Sequence, residues 1–344
     1  MLANVHIGIM GAGAIGCFLG LHAARGGARV TLIGRAELPR FGDDLCAHRL
    51  DGQVLRCSPS ITLSDDAATL ADTDIVLITV KSRNSAEIGE RLASLLPAQT
   101  PLVSFQNGLD NLHRLGRSLG PRVIAGMVSF NVVRDHAILR QASTGPLIAG
   151  LGTPEQRPWL LALAAALGAG GLPLELRENI LDIVAGKLLL NLSNGIGAAT
   201  GLPIVATLRS RDARWCFSTC MREGILALER AGYRPHNVIG LPPRVIAALL
   251  RLPNMIVLRV ARRLVKLDPN ARSSTLQDLE IGKPTEIGDL NGAIAQLAAS
   301  HGLRAPANQT ITAIVRSLEG VQPPLPFVSP MQLRKRIVAA SRAH

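Results

Sequence analysis

The sequence predicts an α/β domain built on a doubly wound parallel sheet, followed by an all-α domain. Three observations carry this. Strand-like apolar runs alternate with helical periods over the first 150 residues, and from about Asn179 the texture changes to long helical periods with few strand signals. The 344 residues, 47% hydrophobic and 18% charged, suffice for two domains with large cores. Aromatics are only 3%, so those cores must be aliphatic.

Taken in order, Val5–Met10 reads as a strand, Ala14–Gly26 as a helix and Arg29–Ile33 as a second strand. Asp74–Val80 (DIVLITV) is an apolar run of the kind buried on both faces of a sheet. Helix Ser85–Leu96, strand Leu102–Phe105 and helix Leu109–Leu119 follow. Val123–Val133 and Ala137–Gly150 are expected to finish the sheet around a turn at Arg134-Asp135-His136. An Ala/Leu-rich helix over Thr153–Gly171 leads to strand Leu172–Leu176. Helices are then expected over Ile180–Gly195, Arg211–Ala231, Pro243–Leu250, Pro284–His301 and Asn308–Leu318, with a proline-rich stop at Gln322–Pro326. The expected domains are residues 1–177 and 178–330, with a basic tail over 331–344.

Composition narrows the function classes. The N-terminus reads as a strand with no basic leader, and the longest apolar stretches are short or interrupted, so neither a targeting peptide nor a membrane span is expected. The five cysteines show no CxxC and no framework spacing, which reads as reduced thiols in a cytoplasmic protein. Cys216 and Cys220 lie one helical turn apart with no nearby His, so no metal site is expected. The net charge of +12 is scattered, with mild clusters at 259–266 and 334–342, and lacks the aromatics of a nucleic-acid surface. A basic surface of this kind attracts a polyanionic cofactor and a carboxylate substrate.

Gly11-Ala12-Gly13-Ala14-Ile15-Gly16 forms a GxGxxG directly after a strand and at the start of a helix, with a second strand about 13 residues on. Gly11 permits the tight turn, Gly13 lets the backbone approach a pyrophosphate, and Gly16 lets helix and strand pack closely. Free N–H groups at the helix start meet the anion. This is a Rossmann-type dinucleotide site. The second strand ends Ile33-Gly34-Arg35 with no acid until Glu37, so Arg35 is placed to pair a 2′-phosphate and NADPH is the expected cofactor.

Further polar groups sit where ligands bind such sheets, beyond the strands' carboxyl ends: Lys81-Ser82 and Gln106-Asn107-Gly108. In the helical half, Lys187, Asn191 and Asn194 are spaced i, i+4, i+7 and share one helix face. Ser273-Ser274-Thr275-Leu276-Gln277-Asp278 and Pro284-Thr285-Glu286-Ile287-Gly288-Asp289-Leu290-Asn291-Gly292 follow, and Glu286 also suits a helix start.

These motifs, in this order over nearly the whole chain (GxGAxG, an Arg closing the second strand, TVKS, QNG, KLxxN, SSxLQD and PTEIxxLNG), resemble the ketopantoate reductase (2-dehydropantoate 2-reductase) family. The resemblance implies a helical second domain of the 6-phosphogluconate dehydrogenase type, with the substrate in the cleft between the domains. It implies a soluble enzyme of pantothenate biosynthesis that uses NADPH to reduce the 2-oxo group of ketopantoate, and a homodimer is compatible with it. By position, Lys187 matches the catalytic lysine and Glu286 the substrate-binding glutamate. Asn107, Asn191 and Ser274 match substrate contacts, and Lys81 a lysine near the cofactor's ribose and phosphate. The chain departs from the pattern at Ala185, where the family commonly has Trp, and at Gly195, where it commonly has Asn and this chain has Asn194 just before. The alternatives to weigh are a reductase of a different 2-oxo acid and a non-catalytic NADPH-binding sensor.

Overall fold

The structure, a computed structural model, describes residues 5–237, 239–264 and 271–342. Two compact units divide between Ile180 and Leu181.

The first unit contains β1 (His6–Met10), α1 (Ala14–Arg25), β2 (Arg29–Ile33), β3 (Cys46–His48), β4 (Val54–Arg56), β5 (Ile61–Ser64), β6 (Ile75–Ile78), α2 (Ser85–Leu95), β7 (Leu102–Ser104), α3 (Asp110–Leu119), β8 (Val123–Val128), β9 (Val132–Asp135), β10 (Ile138–Gln141), β11 (Leu147–Gly150), α4 (Arg157–Ala169) and β12 (Leu174–Arg177). Eight strands form one sheet in the order β12-β11-β8-β7-β6-β1-β2-β5. Every pair is parallel except β8 with β11. The central strand β6 is fully buried along its length, with Ile75, Val76, Leu77 and Ile78 all at 0% exposure. That burial is what an uninterrupted apolar run without alternation encodes. Aliphatic side chains fill the core on both sides of the sheet.

One sheet expectation is corrected. The run Val123–Val133 is not a single strand, and the hairpin after it does not finish the main sheet. β8 stops at Val128, and β9 and β10 join β3 and β4 in a separate four-stranded sheet of order β4-β3-β10-β9. Ser129 is pinned where the chain leaves: its N–H donates to Pro146 O at 3.0 Å. Gly145 lies so close that a Cβ there would come within 2.5 Å of Ser129 O. β9 alternates in burial, unlike fully covered β11, as a strand with one open face must.

The second unit contains α5 (Ile180–Thr200), α6 (Ile204–Arg209), α7 (Arg211–Arg230), α8 (Pro243–Leu249), α9 (Asn254–Leu264), α10 (Ser274–Glu280), α11 (Asn291–Ser300), α12 (Pro306–Leu318) and α13 (Pro330–Arg342). The helix expected over Pro284–His301 is broken. A single 3-10 turn spans Ile287–Asp289, Leu290 adopts φ −108° and ψ −98°, and α11 begins only at Asn291. Residues expected as a basic tail form α13 instead, because Leu333 and Ile337 are fully buried on a helix that packs against α7 and α12. Arg334 of α13 pairs Asp212 at 2.8 Å and lies over the Trp215 ring at 5.0 Å. The distal end of the 259–266 basic cluster and residues 343–344 fall outside the described residues.

Long and apolar as it is, α5 is a core helix. Gly195 on it approaches Asn291, Ile311 and Ile287, and Leu189 and Leu192 approach Gly224 of α7.

Candidate active site

The first unit carries the glycine turn. Gly11 follows β1 with φ +115°, and a Cβ there would lie 2.6 Å from Val80 N, so only glycine fits. Its carbonyl accepts a hydrogen bond from Thr79 Oγ1 at 2.6 Å. Gly16, one turn into α1, would drive a Cβ into Gly11 O. Gly13 differs from both. It is exposed, and a Cβ there would meet nothing within 4 Å, so the space beside its backbone is open. Ala12, Ala14 and Ile15 are half-buried around it. The start of α1 has no side-chain cap and no acidic residue in its first turn. An uncapped, acid-free helix start beside an open glycine is suited to a pyrophosphate. Arg35 is exposed just past the end of β2.

Lys81 and Asn107 are half-buried beyond the ends of β6 and β7. A polar network that sequence spacing did not reveal holds this edge. Gln106 donates to Val80 O at 2.9 Å and to Ser85 Oγ at 2.8 Å, and accepts from Ser104 Oγ at 3.0 Å. Ser85 donates to Asn111 Oδ1 at 2.8 Å, while Asn111 donates to Ser82 Oγ at 2.9 Å and to Asn107 O. The glutamine of QNG is thereby a scaffold for the asparagine beside it. Arg134 of β9, also missed, donates to Ala12 O and stacks over Phe41 at 4.9 Å. The small sheet thus braces the glycine turn. A hydrogen-bonded glutamine or arginine leaves no periodic signature, so only the polar residue at a strand end hinted at the first.

In the second unit, Lys187, Asn191 and Asn194 lie on α5 and are all half-buried, whereas Ala185, Leu188, Leu189, Leu192 and Ile196 are at most 2% exposed. The polar stripe is therefore a real face, not part of the packed core. Burial pushes the Lys187 ammonium down from its usual 10.5 to about 8, against the opposing pull of the Glu286 carboxylate. Glu286 stands half-buried just before the 3-10 turn. Its neighbour Thr285 is anchored by Glu319, whose Oε1 accepts from Thr285 N at 2.9 Å and from its hydroxyl. Glu319 is thus a support for the Glu286 segment that sequence patterning did not find.

The two serines of SSTLQD differ. Ser273 is buried and caps α10, accepting from Leu276 N at 3.3 Å and donating to Asn194 O at 3.4 Å. Ser274 is exposed at the first position of α10. Asn291 of the LNG motif is fully buried and donates to Asn308 Oδ1 at 3.0 Å, which makes it part of the core. Among the described residues no group of three or more His, Cys, Asp or Glu is placed to hold a metal. The thiols of Cys216 and Cys220 are buried and pushed up, Cys216 to about 12, chiefly by burial.

A parallel sheet with an open glycine turn, followed by a helical unit carrying a half-buried lysine within electrostatic reach of a carboxylate, defines an NAD(P)-dependent oxidoreductase acting on a small molecule. Residues 7–152 match the family described as "Ketopantoate reductase PanE/ApbA", and residues 179–319 match its C-terminal counterpart. The chain belongs to the ketopantoate reductase family. It is similar to the 2-dehydropantoate 2-reductase of Halobacterium salinarum, 27% identical over 316 residues that cover 90% of this chain and 97% of the relative. Among solved structures it is similar to a PanE/ApbA family ketopantoate reductase from Ralstonia eutropha, with a TM-score of 0.76, 27% identity and coverage of 92% and 98% of the two chains. A D-mandelate dehydrogenase solved with NADH and anilino(oxo)acetate shares the fold at a TM-score of 0.75 and 18% identity, with the same coverage.

Proposed function

We propose that this chain is an NADPH-dependent reductase of 2-oxo acids, with ketopantoate as its first candidate substrate and pantoate as the product. The observation that carries the reading is Lys187, an ammonium lowered to about 8 by burial, on a polar stripe of a core helix and within electrostatic reach of Glu286. A group perturbed by burial and by a specific charge partner is a candidate for proton transfer.

The residues present fit the cofactor. Gly11, Ala12, Gly13, Ala14, Ile15 and Gly16 would hold its pyrophosphate, supported by the open space at Gly13 and the uncapped start of α1. Arg35 would take the 2′-phosphate, and Lys81 and Asn107 would contact the cofactor beyond the strand ends. When bound, the cofactor supplies a hydride for the 2-oxo carbon. The chain's own part is to bind, orient and protonate. Lys187 stabilises the negative charge that develops on the substrate oxygen and delivers the proton to it. With its pKa near 8 the ammonium is still largely protonated at neutral pH and is a stronger acid than an ordinary lysine. Asn107 and Ser274 would orient the carboxylate and carbonyl, with Asn191 and Asn194 as further donors along the stripe. Glu286 would accept a hydrogen bond from the distal hydroxyl of ketopantoate.

A second reading, reduction of a different 2-oxo acid, draws support from position 195. A Cβ on Gly195 would come within 2.5 Å of Asn291 Oδ1 and 2.7 Å of Ile311 Cγ2, so an asparagine has no room there. The amide is carried by Asn194 instead, about 100° around the helix.

The test follows the oxidation of NADPH and of NADH by absorbance in the presence of ketopantoate and a panel of other 2-oxo acids. Turnover with NADPH preferred over NADH is the expected result. Tight NADPH binding without turnover on any 2-oxo acid would make the protein a sensor and end the proposal.

A further inference from the structure

The helical unit carries a partly open cavity of about 240 Å³ lined by Leu190, Asn194 and Gly197 of α5, Phe217 of α7, Leu249 of α8 and Val257 of α9, among others. Its wall is nearly all aliphatic, and the hydroxyls of its lining residues already donate to backbone carbonyls. Ser193 donates to Leu190 O at 2.8 Å, Thr207 to Pro203 O at 3.1 Å, and Ser273 to Asn194 O at 3.4 Å. Asn194 is the exception. Among the described residues its side-chain amide makes no hydrogen bond; only its backbone carbonyl is used.

Helix geometry relates this cavity to the polar stripe. Asn194 is seven residues beyond Lys187, which places it about 10 Å further along α5 and about 20° from the same face. Leu190, Ser193 and Gly197 lie on the flank adjoining that stripe. Asn194 therefore belongs both to the stripe and to the cavity wall, and the cavity begins where the stripe ends. An apolar cavity of roughly 150 Å³ holds a benzene ring, so this one has room for a phenyl group or a branched or straight chain of about six to eight carbons.

We propose that the cavity is an apolar side-chain subsite of the reductase, which extends its substrates beyond ketopantoate to 2-oxo acids with a large apolar substituent. The inference rests on the assignment of Lys187 as proton donor. The carboxylate and 2-oxo group sit at the stripe, Asn194 offers its amide at the junction, and the apolar chain fills the cavity. The reaction is unchanged: the 2-oxo carbon gains a hydride from the nicotinamide, its oxygen gains the proton of Lys187, and a 2-hydroxy acid leaves. A wall whose hydroxyls are already engaged offers little to a polar side chain, and a short one would leave the apolar space unfilled.

The test measures kcat/KM with NADPH for straight-chain 2-oxo acids from 2-oxobutyrate to 2-oxooctanoate, together with phenylpyruvate and ketopantoate. Each methylene buried in the cavity is expected to raise kcat/KM by about fourfold, and the series by about 100-fold, before it levels off. Leu249→Trp fills the cavity from α8, on a different helix from the polar stripe, and Val257→Phe does so from α9 should the first variant fold poorly. Either is expected to cut the ratio of 2-oxooctanoate to 2-oxobutyrate efficiency by tenfold or more, a ratio in which a loss of folded protein cancels. Calorimetric titration with octanoate is an independent readout, with binding to the unmodified chain and none to the filled variants. Turnover of ketopantoate and short acids with no dependence on chain length, and no octanoate binding, would overturn the subsite and leave the reductase standing. No turnover of any 2-oxo acid would bring down the reductase and the subsite with it.

Discussion

Lys187→Met keeps an unbranched apolar stem of the same length and deletes the ammonium group. In the unfolded chain the ammonium titrates near 10.5, and in the folded protein near 8, with burial outweighing the attraction of Glu286. The folded state thus binds this proton less tightly. The gap corresponds to about 3 kcal/mol at most, and the residual exposure of the side chain reduces the expected cost to about 1–3 kcal/mol at pH 7. Removing the charge relieves that cost, so Lys187→Met is expected to be more stable than the unmodified protein by that amount in urea unfolding at pH 7. The pH dependence has a definite sign. Between about 8 and 10.5 the unfolded chain holds more protons than the folded one, so the contribution of Lys187 to stability rises with pH across that window. That rise is absent from the methionine variant. Activity moves the other way: turnover falls by about 10²–10⁴ in the variant. In the unmodified enzyme, activity that needs the protonated lysine declines as pH rises through about 8. A methionine variant less stable than the parent at pH 7 would show that the ammonium is a net anchor of the fold. Near-normal turnover in that variant would remove Lys187 from the chemistry.

Four further outcomes are expected. Arg35→Ala raises the KM for NADPH by roughly 10- to 100-fold and leaves NADH kinetics nearly unchanged, whereas equal losses with both cofactors would make Arg35 a fold residue. Gly13→Ala folds with normal stability, since its Cβ meets nothing within 4 Å, yet weakens cofactor binding; Gly11→Ala, at φ +115°, loses about 1–3 kcal/mol in thermal or urea unfolding. Glu286→Ala narrows the preference for ketopantoate over 3,3-dimethyl-2-oxobutyrate, and a double-mutant cycle between side chain and substrate hydroxyl with no coupling would leave Glu286 as a loop residue. His22, fully buried and pushed down to about 4 chiefly by burial, is neutral in the folded state, so unfolding takes up a proton below its usual 6.5. Its contribution to stability declines as pH falls from 6.5 and levels off below 4, and His22→Gln should flatten that decline in acid titration followed by circular dichroism.

What the sequence disclosed about the fold follows from how each element signals itself. β6 is buried on both faces and so is written as IVLI, an uninterrupted apolar run, and α1 begins where GxGxxG leaves a strand; both are visible in the local sequence. β3 and β4 are only three residues long and carry no apolar run, and β10 pairs with β9 and β3 in a separate sheet, a choice of partner that local patterning does not show. The point where the hairpin leaves the main sheet is marked by Ser129 against Gly145 and Pro146, a contact between residues 16 or 17 apart that local patterning does not encode. α13 was hidden for a different reason. Its charges read as a tail, while the two residues that anchor it, Leu333 and Ile337, are a single i, i+4 pair.

The candidate site was legible to the level of helix faces and no further. Spacing alone puts Lys187, Asn191 and Asn194 on one side of α5, and the structure places all three on a half-buried stripe. Spacing does not tell a ligand-facing polar residue from one spent on structure. Ser273 and Ser274 are adjacent and chemically identical, yet one is a buried cap and the other is exposed. Asn291 sits in the same motif as Glu286 and is consumed in the core by Asn308. Gln106 and Asn107 divide in the same way, the first holding strands and loops together while the second has its carbonyl fixed by Ser82 and Asn111. In each pair the scaffold member is the more buried one, because a buried polar group must find a partner inside the protein, whereas a ligand-binding group must keep a side open. By that criterion Asn194 is the residue to watch. It is half-buried, its amide is unengaged among the described residues, and it stands between an ammonium suited to a polar head and a cavity suited to an apolar chain.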